Sequence, residues 1–341
     1  MRPEILVAES SGFPTKAAAC LRASGSLVLK DLDRPGLLAS VRAADILWVR
    51  LRHKIDREVM NAAPHLRAIA TPTTGLNHID VAEARLRNIH VISLQGATQF
   101  LQNVYATAEH TVALIFGLLR HLPAAHDHVV KGNWNRDLFI GHDLHGKTAG
   151  LIGYGRVGQM VAGYLHALGM RVFVTDKPGT RKPTPPGIKL VSLSYLLGCS
   201  DIVSLHVPLT ETTHGFFGQR EYARMKPSSW FINTARGELV DERALVRALD
   251  DGRIQGAALD VLCDEHSSDM TENSLIQYAH HHDNLLITPH IGGCTHEARE
   301  KTEYFLATCV ASFLDAQCAH PESGSNEKPL HRVSTALFDS Q

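Results

Sequence analysis

The fold is decided by one glycine-rich stretch, which reads Gly146-Lys147-Thr148-Ala149-Gly150-Leu151-Ile152-Gly153-Tyr154-Gly155-Arg156-Val157-Gly158. An apolar run precedes Gly153, and after the glycines apolar residues recur at helical spacing until a second apolar run ends at Asp176. This order predicts a strand, a tight turn, a helix and a second strand. Such a unit is typical of a parallel sheet that helices cover on both faces.

The three glycines of the turn have the spacing that binding of a dinucleotide requires. Gly153 permits the tight turn, Gly155 lets the backbone approach a pyrophosphate, and Gly158 lets the helix pack closely on the sheet. The helix N-terminus adds unpaired N–H groups and the positive end of a dipole. Asp176 follows about 20 residues later, where a carboxylate meets the ribose hydroxyls and repels a 2′-phosphate. The stretch therefore predicts an NAD site; the alternative is a structural turn without a cofactor.

The composition bounds the number of domains and the kinds of partner. The 341 residues suggest two domains, and 34 Lys and Arg against 35 Asp and Glu give a formal net charge of −1. This balance offers no electrostatic case for nucleic acid or an anionic membrane, and no apolar stretch reaches membrane-spanning length. The N-terminus lacks the apolar region of a signal peptide, and the six cysteines contain no Cys-x-x-Cys pair. We expect a cytoplasmic protein with no nucleic-acid or membrane partner.

Five short apolar runs alternate with helical patterns before the glycine stretch. The expected strands are residues 5–8, 27–29, 46–49, 68–70 and 90–93, and the expected helices lie near 15–23, 35–41, 57–63 and 81–87. They predict a parallel sheet covered by helices. Residues 1–97 carry no glycine fingerprint, which makes them the better candidate for a substrate domain.

A long helical pattern and further apolar runs complete the chain. The pattern over 103–122 predicts one helix with an apolar face. The expected strands of the second sheet are 149–152, 171–175, 202–205, 230–233, 257–260 and 285–288, which is the number in a full dinucleotide-binding fold. A helix over 295–314 that packs on the first sheet would make the substrate domain discontinuous. We therefore predict a substrate domain of residues 1–97 and 292–318, an inserted NAD-binding domain of residues 98–291, and a polar tail of residues 319–341.

Polar side chains follow several of these strands at the edge where ligands bind in parallel sheets. His206, Arg236, Glu265 and His290 come directly or shortly after strands of the second sheet. A cation, a carboxylate and an imidazole are therefore expected to converge at one edge.

Three motifs around these residues make the sequence recognisable. They are Asn233-Thr234-Ala235-Arg236-Gly237-Glu238-Leu239-Val240-Asp241, Gly256-Ala257-Ala258-Leu259-Asp260-Val261 and Thr288-Pro289-His290-Ile291-Gly292-Gly293. Together with the glycine stretch they closely resemble the D-isomer-specific 2-hydroxyacid dehydrogenases, from about residue 46 to about residue 314. Within that family the likeness is to the catalytic part of the phosphoglycerate dehydrogenases, without their regulatory domain.

The resemblance implies a fold, an activity and an assembly. The fold is α/β, with two doubly wound parallel-sheet domains, in which a Rossmann NAD-binding domain is inserted into a flavodoxin-like substrate domain. The activity is NAD-dependent interconversion of a small D-2-hydroxy acid and its 2-oxo acid. The assembly is a homodimer, which we expect to form through residues 103–134.

The resemblance also implies a role for each member of the Arg, Glu and His set. Arg236 binds the substrate carboxylate and polarises the carbonyl oxygen, His290 acts as acid and base, and Glu265 pairs with His290. Their chemistry agrees, because a developing alkoxide needs a proton donor near neutral pH and a planar guanidinium matches a carboxylate bidentately. This chain departs from the family pattern in having His266 where Pro normally follows the Glu, and Leu262 in place of the usual Phe.

Further positions match the family's cofactor and substrate contacts. The cofactor positions are Tyr154, Gly155, Arg156, Val157, Asp176, His206, Val207, Pro208, Thr213, Thr234, Ala235, Asp260 and His290. The substrate positions are Arg50, Thr74, Gly75, Asn103 and Arg236. No metal site is expected, because neither the triplet at 280–282 nor the pair His142 and His145 has the carboxylate or Cys partners that a metal needs.

The substrate side chain stays open at this point. Arg50, Arg52 and Lys54 would suit a phosphorylated acid such as 3-phosphohydroxypyruvate, although a solvated basic strand end is an equal alternative. A glyoxylate or hydroxypyruvate reductase would need no such cluster. A dehydrogenase-like transcriptional corepressor, which keeps the catalytic residues and senses NADH with slow turnover, is an alternative of a different class. Formate dehydrogenases share the architecture but carry Gln at the position of Glu265.

Overall fold

The computed structural model describes residues 2–177, 183–265 and 269–319, and the side chains of these except 317–319. The described residues form two compact units, one that ends at Leu101 and resumes at His296, and one from Gln102 to Thr295. The boundaries predicted from the sequence follow residues 97 and 291. The predicted tail of residues 319–341 lies outside the described residues, apart from residue 319.

The first unit is built on one parallel sheet. Its strands are β1 (Glu4–Val7), β2 (Ser26–Leu29), β3 (Ile46–Trp48), β4 (Ala68–Thr71) and β5 (His90–Ser93). They lie in the order β2-β1-β3-β4-β5, which is the flavodoxin-like order. The helices of this part are α1 (Thr15–Ser24), α2 (Arg34–Ser40), α3 (Arg57–Ala62), α4 (Val81–Leu86) and the short α5 (Thr98–Leu101). The strands predicted for this unit are confirmed.

Aspartates begin three of these helices. Asp33, Asp56 and Asp80 each accept hydrogen bonds from N–H groups in the first turn of α2, α3 and α4. These caps satisfy N–H groups that have no partner inside the helix. Strands β3 and β4 are buried along their whole length, as expected where helices cover both faces of a parallel sheet.

The second unit is built on a seven-stranded parallel sheet. Its strands are β6 (Thr148–Ile152), β7 (Arg171–Thr175), β8 (Ile188–Leu190), β9 (Ile202–Leu205), β10 (Trp230–Asn233), β11 (Gly256–Leu259) and β12 (Leu285–Ile287). Their order is β12-β11-β10-β9-β6-β7-β8. Counted from β6 this is the Rossmann order with one strand added at the end, so the predicted fold class is confirmed.

The helices of the second unit alternate with these strands. They are α6 (Ala106–Leu119), α7 (Leu122–Val130), α8 (Arg156–Ala167), α9 (Leu193–Cys199), α10 (Gln219–Tyr222), α11 (Glu242–Asp250) and α12 (Ser274–Ala279). The sequence misses β8, because this strand has only three residues and Lys189 and Leu190 are exposed, so no apolar run marks it.

The single helix predicted over 103–122 was wrong in its bounds. Helix α6 is shorter, and α7 begins as a separate helix after His121. His121 has φ +51°, a left-handed conformation that ends one helix and changes the direction of the chain. Pro123 in the first turn of α7 cannot donate the N–H bond that a continuous helix would need.

The last helix, α13 (His296–Ala319), lies in the first unit and packs against α1. Leu306, Ala307 and Val310 of α13 are buried, and the ring of Phe305 stacks on that of Phe100 with 4.1 Å between centroids. The chain therefore returns to the first unit after it leaves the second. Among the described residues, no helix has the length and apolar character to span a membrane.

Candidate active site

The glycine turn after β6 leaves space where a dinucleotide would approach. Gly153 has φ +101°, and a Cβ there would collide with the carbonyl oxygen of His206. A Cβ on Gly158 would collide with the carbonyl oxygen of Gly153, so only glycine lets α8 pack against the turn. Above Gly155, by contrast, no other atom of the described chain lies within 4 Å of the place of a Cβ. The space beside Gly153 and Gly158 is thus filled by the protein, whereas the space beside Gly155 is open, which fits a pyrophosphate at that point.

The glycine turn, the N-terminus of α8 and the end of β7 together form a cradle for a dinucleotide. Helix α8 begins after Gly155, and this N-cap residue has no side chain that could bond the N–H groups of the first turn. Such a helix end attracts phosphate. Strand β7 ends at Thr175, whose carbonyl accepts the N–H of Gly153 at 2.8 Å, so Asp176 lies beside the turn. The chain therefore presents N–H groups and a carboxylate in the order that a dinucleotide requires.

The other predicted cofactor residues of this turn have structural contacts through their side chains. Tyr154 is buried in the core of the second unit, and Val157 packs on the same core. Nη1 of Arg156 donates to the carbonyl oxygen of Val104 at 2.7 Å. Contact of Tyr154 and Val157 with a cofactor would therefore use their backbone groups.

The segment after β9 holds the next predicted cofactor residues. The N–H of His206 donates to the carbonyl of Ile152 at 2.7 Å, and its Nε2 lies 3.0 Å from Oγ of Ser204. Burial lowers the pKa of His206 to about 4, so the imidazole is neutral at pH 7. The hydroxyl of Thr213 donates to the carbonyl of Pro208 at 2.7 Å, which closes the loop that also contains Val207. His206 and Thr213 thus shape this loop, and neither adds charge to the cradle.

Arg236 follows β10 in a loop that its own motif holds together. Nδ2 of Asn233 donates to the carbonyl of Arg236 at 2.8 Å, and Oδ1 of Asn233 accepts the N–H of Ala235 at 3.0 Å. A Cβ on Gly237 would collide with the backbone of Leu262, so this glycine lets the Arg236 loop lie against the loop that carries Glu265. The motif residues around Arg236 therefore set its position.

The charge of Arg236 lies beside two carboxylates. Burial lowers the pKa of its guanidinium, whereas the carboxylates of Glu265 and Glu238 act in the opposite direction. The group remains charged near neutral pH, because arginine is effectively always protonated in proteins. A half-buried cation is thereby held at the carboxyl edge of the sheet.

His290 and Glu265 form a hydrogen-bonded pair. Nδ1 of His290 lies 2.7 Å from Oε1 of Glu265, and about a fifth of each side chain is exposed, 20% and 18%. A carboxylate at this distance fixes the tautomer with hydrogen on Nδ1 and leaves Nε2 for a substrate. His290 has φ +53°, and Asp264, directly before Glu265, has φ +54°. Left-handed conformations in residues other than glycine cost about 1–3 kcal/mol and occur often at functional sites.

The departures from the family pattern near Glu265 leave this pair intact. Leu262 is buried in the core, and Oε1 of Glu242 accepts the N–H of Cys263 at 2.6 Å. Burial raises the pKa of Glu242, which the bond from Cys263 opposes. Sequence reasoning missed Glu242, although it directly follows the Arg236 motif. His266 lies outside the described residues.

Asp260, a predicted cofactor residue, directly follows β11 and has structural partners. Its carboxylate accepts hydrogen bonds from the hydroxyl of Thr288 at 2.6 Å, the N–H of Ile291 at 2.9 Å and the N–H of Gly292 at 2.7 Å. Burial raises the pKa of Asp260, but these bonds and one from His110 bring the pKa below its usual value. Asp260 is therefore charged and holds the loop that carries His290. Thr234, another cofactor position, is bonded to Thr111 at 2.8 Å between hydroxyls.

The first unit contains three predicted substrate residues, and Arg50 has an unexpected partner there. Nε of Arg50 lies 2.7 Å from Oε1 of Glu303, and Nη1 donates to the carbonyl of Ser11 at 2.8 Å. Nη1 of Arg52 lies 2.6 Å from Oδ1 of Asp31. Because Arg50 and Arg52 are both bonded to groups of the first unit, these contacts favour a structural role for this basic segment over binding of an anionic substrate. Glu303 is fully buried, and no pattern near residue 50 could have indicated it.

The remaining substrate positions lie in loops. Thr74 and Gly75 follow β4, and the hydroxyl of Thr73 donates to the carbonyl of Gly75 at 2.8 Å. Asn103 is exposed and precedes α6 in the second unit. Within the part of the chain that the structure describes, no group of three or more His, Cys, Asp or Glu side chains is arranged to hold a metal ion.

Comparison with known proteins agrees with this geometry. The family model described as "D-isomer specific 2-hydroxyacid dehydrogenase, NAD binding domain" matches residues 112–292. D-3-phosphoglycerate dehydrogenase of Mycobacterium tuberculosis is 37% identical over 279 residues, which are 82% of this chain and 51% of that protein. Glyoxylate reductase of Thermococcus litoralis is 36% identical over 298 residues, which are 84% of this chain and 86% of that protein. This chain thus spans about half the length of the mycobacterial relative but most of the archaeal one.

A solved structure shows the same fold with ligands. It is D-lactate dehydrogenase from Aquifex aeolicus complexed with NAD and lactic acid, which is 29% identical with a TM-score of 0.76. The match covers 93% of this chain and 96% of that chain.

Proposed function

Because this chain belongs to the D-isomer-specific 2-hydroxyacid dehydrogenase family, we propose that it interconverts a D-2-hydroxy acid and its 2-oxo acid with NAD. The observation that carries the proposal is the hydrogen-bonded pair of His290 and Glu265, 2.7 Å apart, in the unit that also holds Arg236 and the glycine turn. An acid and base, a cation for a carboxylate and a dinucleotide cradle are the groups that this reaction needs.

The proposed mechanism assigns one task to each side chain. The glycine turn, the N-terminus of α8 and Asp176 would hold the cofactor, which would supply a hydride as NADH in reduction and accept one as NAD⁺ in oxidation. Arg236 binds the carboxylate of the acid as a fork and stabilises negative charge on the neighbouring oxygen. In reduction, Nε2 of His290 donates its proton to that oxygen as charge develops, and in oxidation it takes the proton back. Glu265 keeps Nδ1 of the ring protonated and stabilises the charged imidazole.

The substrate we propose is an unphosphorylated acid such as glyoxylate or hydroxypyruvate. A phosphate needs cations that can pair with it, and two of the three basic side chains that would suit one, Arg50 and Arg52, each have a carboxylate within 2.7 Å. The test compares kcat/KM for hydroxypyruvate with that for 3-phosphohydroxypyruvate. We expect the unphosphorylated acid to be the better substrate. A clear preference for the phosphorylated acid would assign a phosphate site to this protein and overturn this part of the proposal.

Replacement of Glu265 by Gln should move the pH profile of the reductive reaction to lower pH. The protonated imidazole of His290 would lose the carboxylate that stabilises its charge, while the Gln oxygen could still accept the bond from Nδ1. The measurement is kcat/KM for the 2-oxo acid over a range of pH. The exposed Glu272→Gln is the control. Superimposable profiles for wild type and Glu265→Gln would show that the pair does not act in the reaction.

Replacement of Asp176 by Ala should relax the preference for NADH over NADPH. The ribose hydroxyls would lose a charged acceptor, and a 2′-phosphate would no longer be repelled. We expect kcat/KM for NADH to fall about 10- to 100-fold, which is the usual contribution of a hydrogen bond to a charged group. We expect kcat/KM for NADPH to rise. The exposed Asp251→Ala should leave both values unchanged. If Asp176→Ala still rejects NADPH, the ribose is recognised elsewhere.

The assembly we propose is a homodimer formed through the apolar surface of residues 122–140. Its exposed large apolar side chains are Leu122, Val129, Val130, Trp134, Leu138 and Ile140. Trp134 is 89% exposed, and so large an aromatic side chain is seldom left in water without a partner. We also propose a cytoplasmic location, because Cys20, Cys199, Cys263 and Cys309 are free thiols in the part of the chain that the structure describes.

Replacement of Trp134 by Glu should weaken the dimer. Loss of an aromatic anchor at an interface costs about 2 kcal/mol or more, which is about 30-fold in the dissociation constant. Sedimentation over a range of protein concentrations measures the change. Leu86→Glu is the matched control, because Leu86 is an exposed apolar residue of the first unit. A Trp134→Glu protein that dissociates like wild type would exclude this surface as the interface.

A further inference from the structure

The side chain of His110, on helix α6, contacts the carboxylate of Asp260, which holds the loop that carries His290. Nε2 of His110 lies 3.1 Å from Oδ1 of Asp260 and 3.0 Å from Oγ1 of Thr288. The carboxylate of Asp260 also accepts hydrogen bonds from the N–H groups of Ile291 and Gly292, which follow His290. It accepts another from the hydroxyl of Thr288, which precedes His290. His110 is thereby the member of this network that comes from a helix and not from the loop or its strand.

The hydrogen bonds fix which atom of His110 carries the hydrogen. The hydroxyl of Thr288 donates to Asp260 at 2.6 Å, and this uses its one hydrogen. Both groups near Nε2 of His110, the carboxylate of Asp260 and the oxygen of Thr288, are therefore acceptors. Nε2 must be protonated and donate, which makes His110 a donor that ties Asp260 and Thr288 together.

The backbone at His290 depends on this network. Its φ of +53° is a conformation that residues other than glycine rarely keep without support. The support comes from its N–H, which donates to the carbonyls of Asp260 at 2.8 Å and Thr288 at 3.0 Å. The two residues that hold the backbone of His290 are the two that His110 bonds through their side chains.

The next residue of α6 makes an analogous contact with the other catalytic loop. Oγ1 of Thr111 donates to the carbonyl of Thr107 at 2.7 Å and lies 2.8 Å from Oγ1 of Thr234, two residues before Arg236. Since Thr111 has used its hydrogen, the hydroxyl of Thr234 donates to it. Thr111 and Thr234 are both buried. Two successive residues of one helix thus brace the loops of His290 and Arg236.

We propose that His110 is a positioning residue for catalysis, which holds the imidazole of His290 in place through its hydrogen bonds to Asp260 and Thr288. The inference rests on the proposed function for its kinetic part, but the brace itself is a property of the protein without substrate. The groups that face His290 and its loop in this network are His110, Asp260, Glu265 and, next to Glu265, Arg236. His110 touches none of the reacting atoms in this account.

The first part of the test measures the brace without catalysis. Amide hydrogen exchange of the full chain is followed at Ile291 and Gly292 in wild type, His110→Ala and His110→Gln. Gln can place an N–H donor near the position of Nε2, whereas Ala cannot. We expect exchange to be about tenfold faster or more in His110→Ala, and close to wild type in His110→Gln. Equal protection in wild type and His110→Ala would overturn the proposal.

The second part measures the reaction. For a 2-oxo acid that wild type reduces, His110→Ala should lower kcat about 10- to 100-fold, the loss expected when a catalytic group is displaced by about 1 Å. The KM for that acid should change much less, and the solvent deuterium isotope effect on kcat should rise, because proton donation becomes slower. His110→Gln should recover most of kcat. A change that only destabilises the fold would lower the melting temperature without raising the isotope effect.

The outcomes separate the two proposals. Glu109→Gln, an exposed neighbour on α6, is the control and should match wild type in both parts. If His110→Gln is as impaired as His110→Ala, the donor at Nε2 is not what matters and the positioning role is refuted. If wild type reduces no 2-oxo acid, the proposed function falls, and the exchange experiment alone decides whether His110 holds the loop.

Discussion

Replacement of Arg236 by Ala is expected to lower kcat/KM for the 2-oxo acid by about 3 to 4 kcal/mol, which is several hundredfold. The guanidinium is held by the backbone of its own motif, so it is in place before the substrate arrives. A donor that is preorganised in this way stabilises charge in the transition state at no further cost of orientation. The measurement is steady-state NADH oxidation over a range of acid concentrations.

Two further variants sharpen this expectation. Arg236→Lys keeps the charge but loses the planar fork, so it should recover only part of the lost kcat/KM. Arg243→Ala, an exposed arginine on α11, should behave as wild type. Near-normal turnover of Arg236→Ala would remove Arg236 from the mechanism, and full activity of Arg236→Lys would show that charge alone is sufficient.

Replacement of His290 by Asn is expected to lower kcat by about 10²- to 10⁴-fold, the usual contribution of a general acid. Asn is chosen because it adopts the left-handed conformation that His290 has, at φ +53°, more readily than other residues. The loop should therefore keep its shape, while the shorter amide can neither donate a proton nor reach Glu265. The loss in kcat is then a loss of chemistry and not of folding.

The control for this variant lies at the other end of the same strand. His281 is exposed just before β12, and His290 follows that strand, so His281→Asn changes the same residue type far from the carboxyl edge. It should leave kcat unchanged. A His290→Asn protein that keeps more than about a tenth of wild-type kcat would mean that another group, or water, donates the proton.

The sequence predicts the parts of this fold where local pattern and burial agree. Strand β10 (Trp230–Asn233) is buried at every position, and its apolar run had predicted these bounds. The doubly wound parallel class of the second sheet followed from the glycine turn and the alternation of strands with helices, since both are local features. Strand β8 (Ile188–Leu190) was missed because an edge strand with exposed side chains has no such pattern.

The candidate site was predictable in its residue types but not in its supporting contacts. Arg236, Glu265 and His290 stand out because they follow predicted strands within recognisable motifs. The partner of Arg50 could not be predicted, since Glu303 lies on α13 and is brought to Arg50 only by the return of that helix to the first unit. The contact of His110 with Asp260 likewise joins residues that are far apart in the sequence.

The backbone of the site was not predictable from residue types. The identity of Asp264 and His290 does not predict a positive φ, because Asp and His are enriched in that conformation but still usually adopt ordinary ones. The conformation at His290 is imposed by hydrogen bonds from its N–H to residues 260 and 288, which become neighbours only after the sheet has formed. Asp260 was expected to contact the cofactor, and its structural bonds to Thr288, Ile291 and Gly292 emerge from the same tertiary packing.

The most direct test of the proposed reaction is NADH oxidation with glyoxylate and hydroxypyruvate, followed by absorbance. The wild-type protein is compared with Arg236→Ala and His290→Asn. We expect turnover of about 1 s⁻¹ or faster with at least one of these acids and a loss of at least a hundredfold in both variants. The contradicting result is a wild-type protein that binds NADH but oxidises it with neither acid nor any other 2-oxo acid, as a dinucleotide-sensing corepressor would.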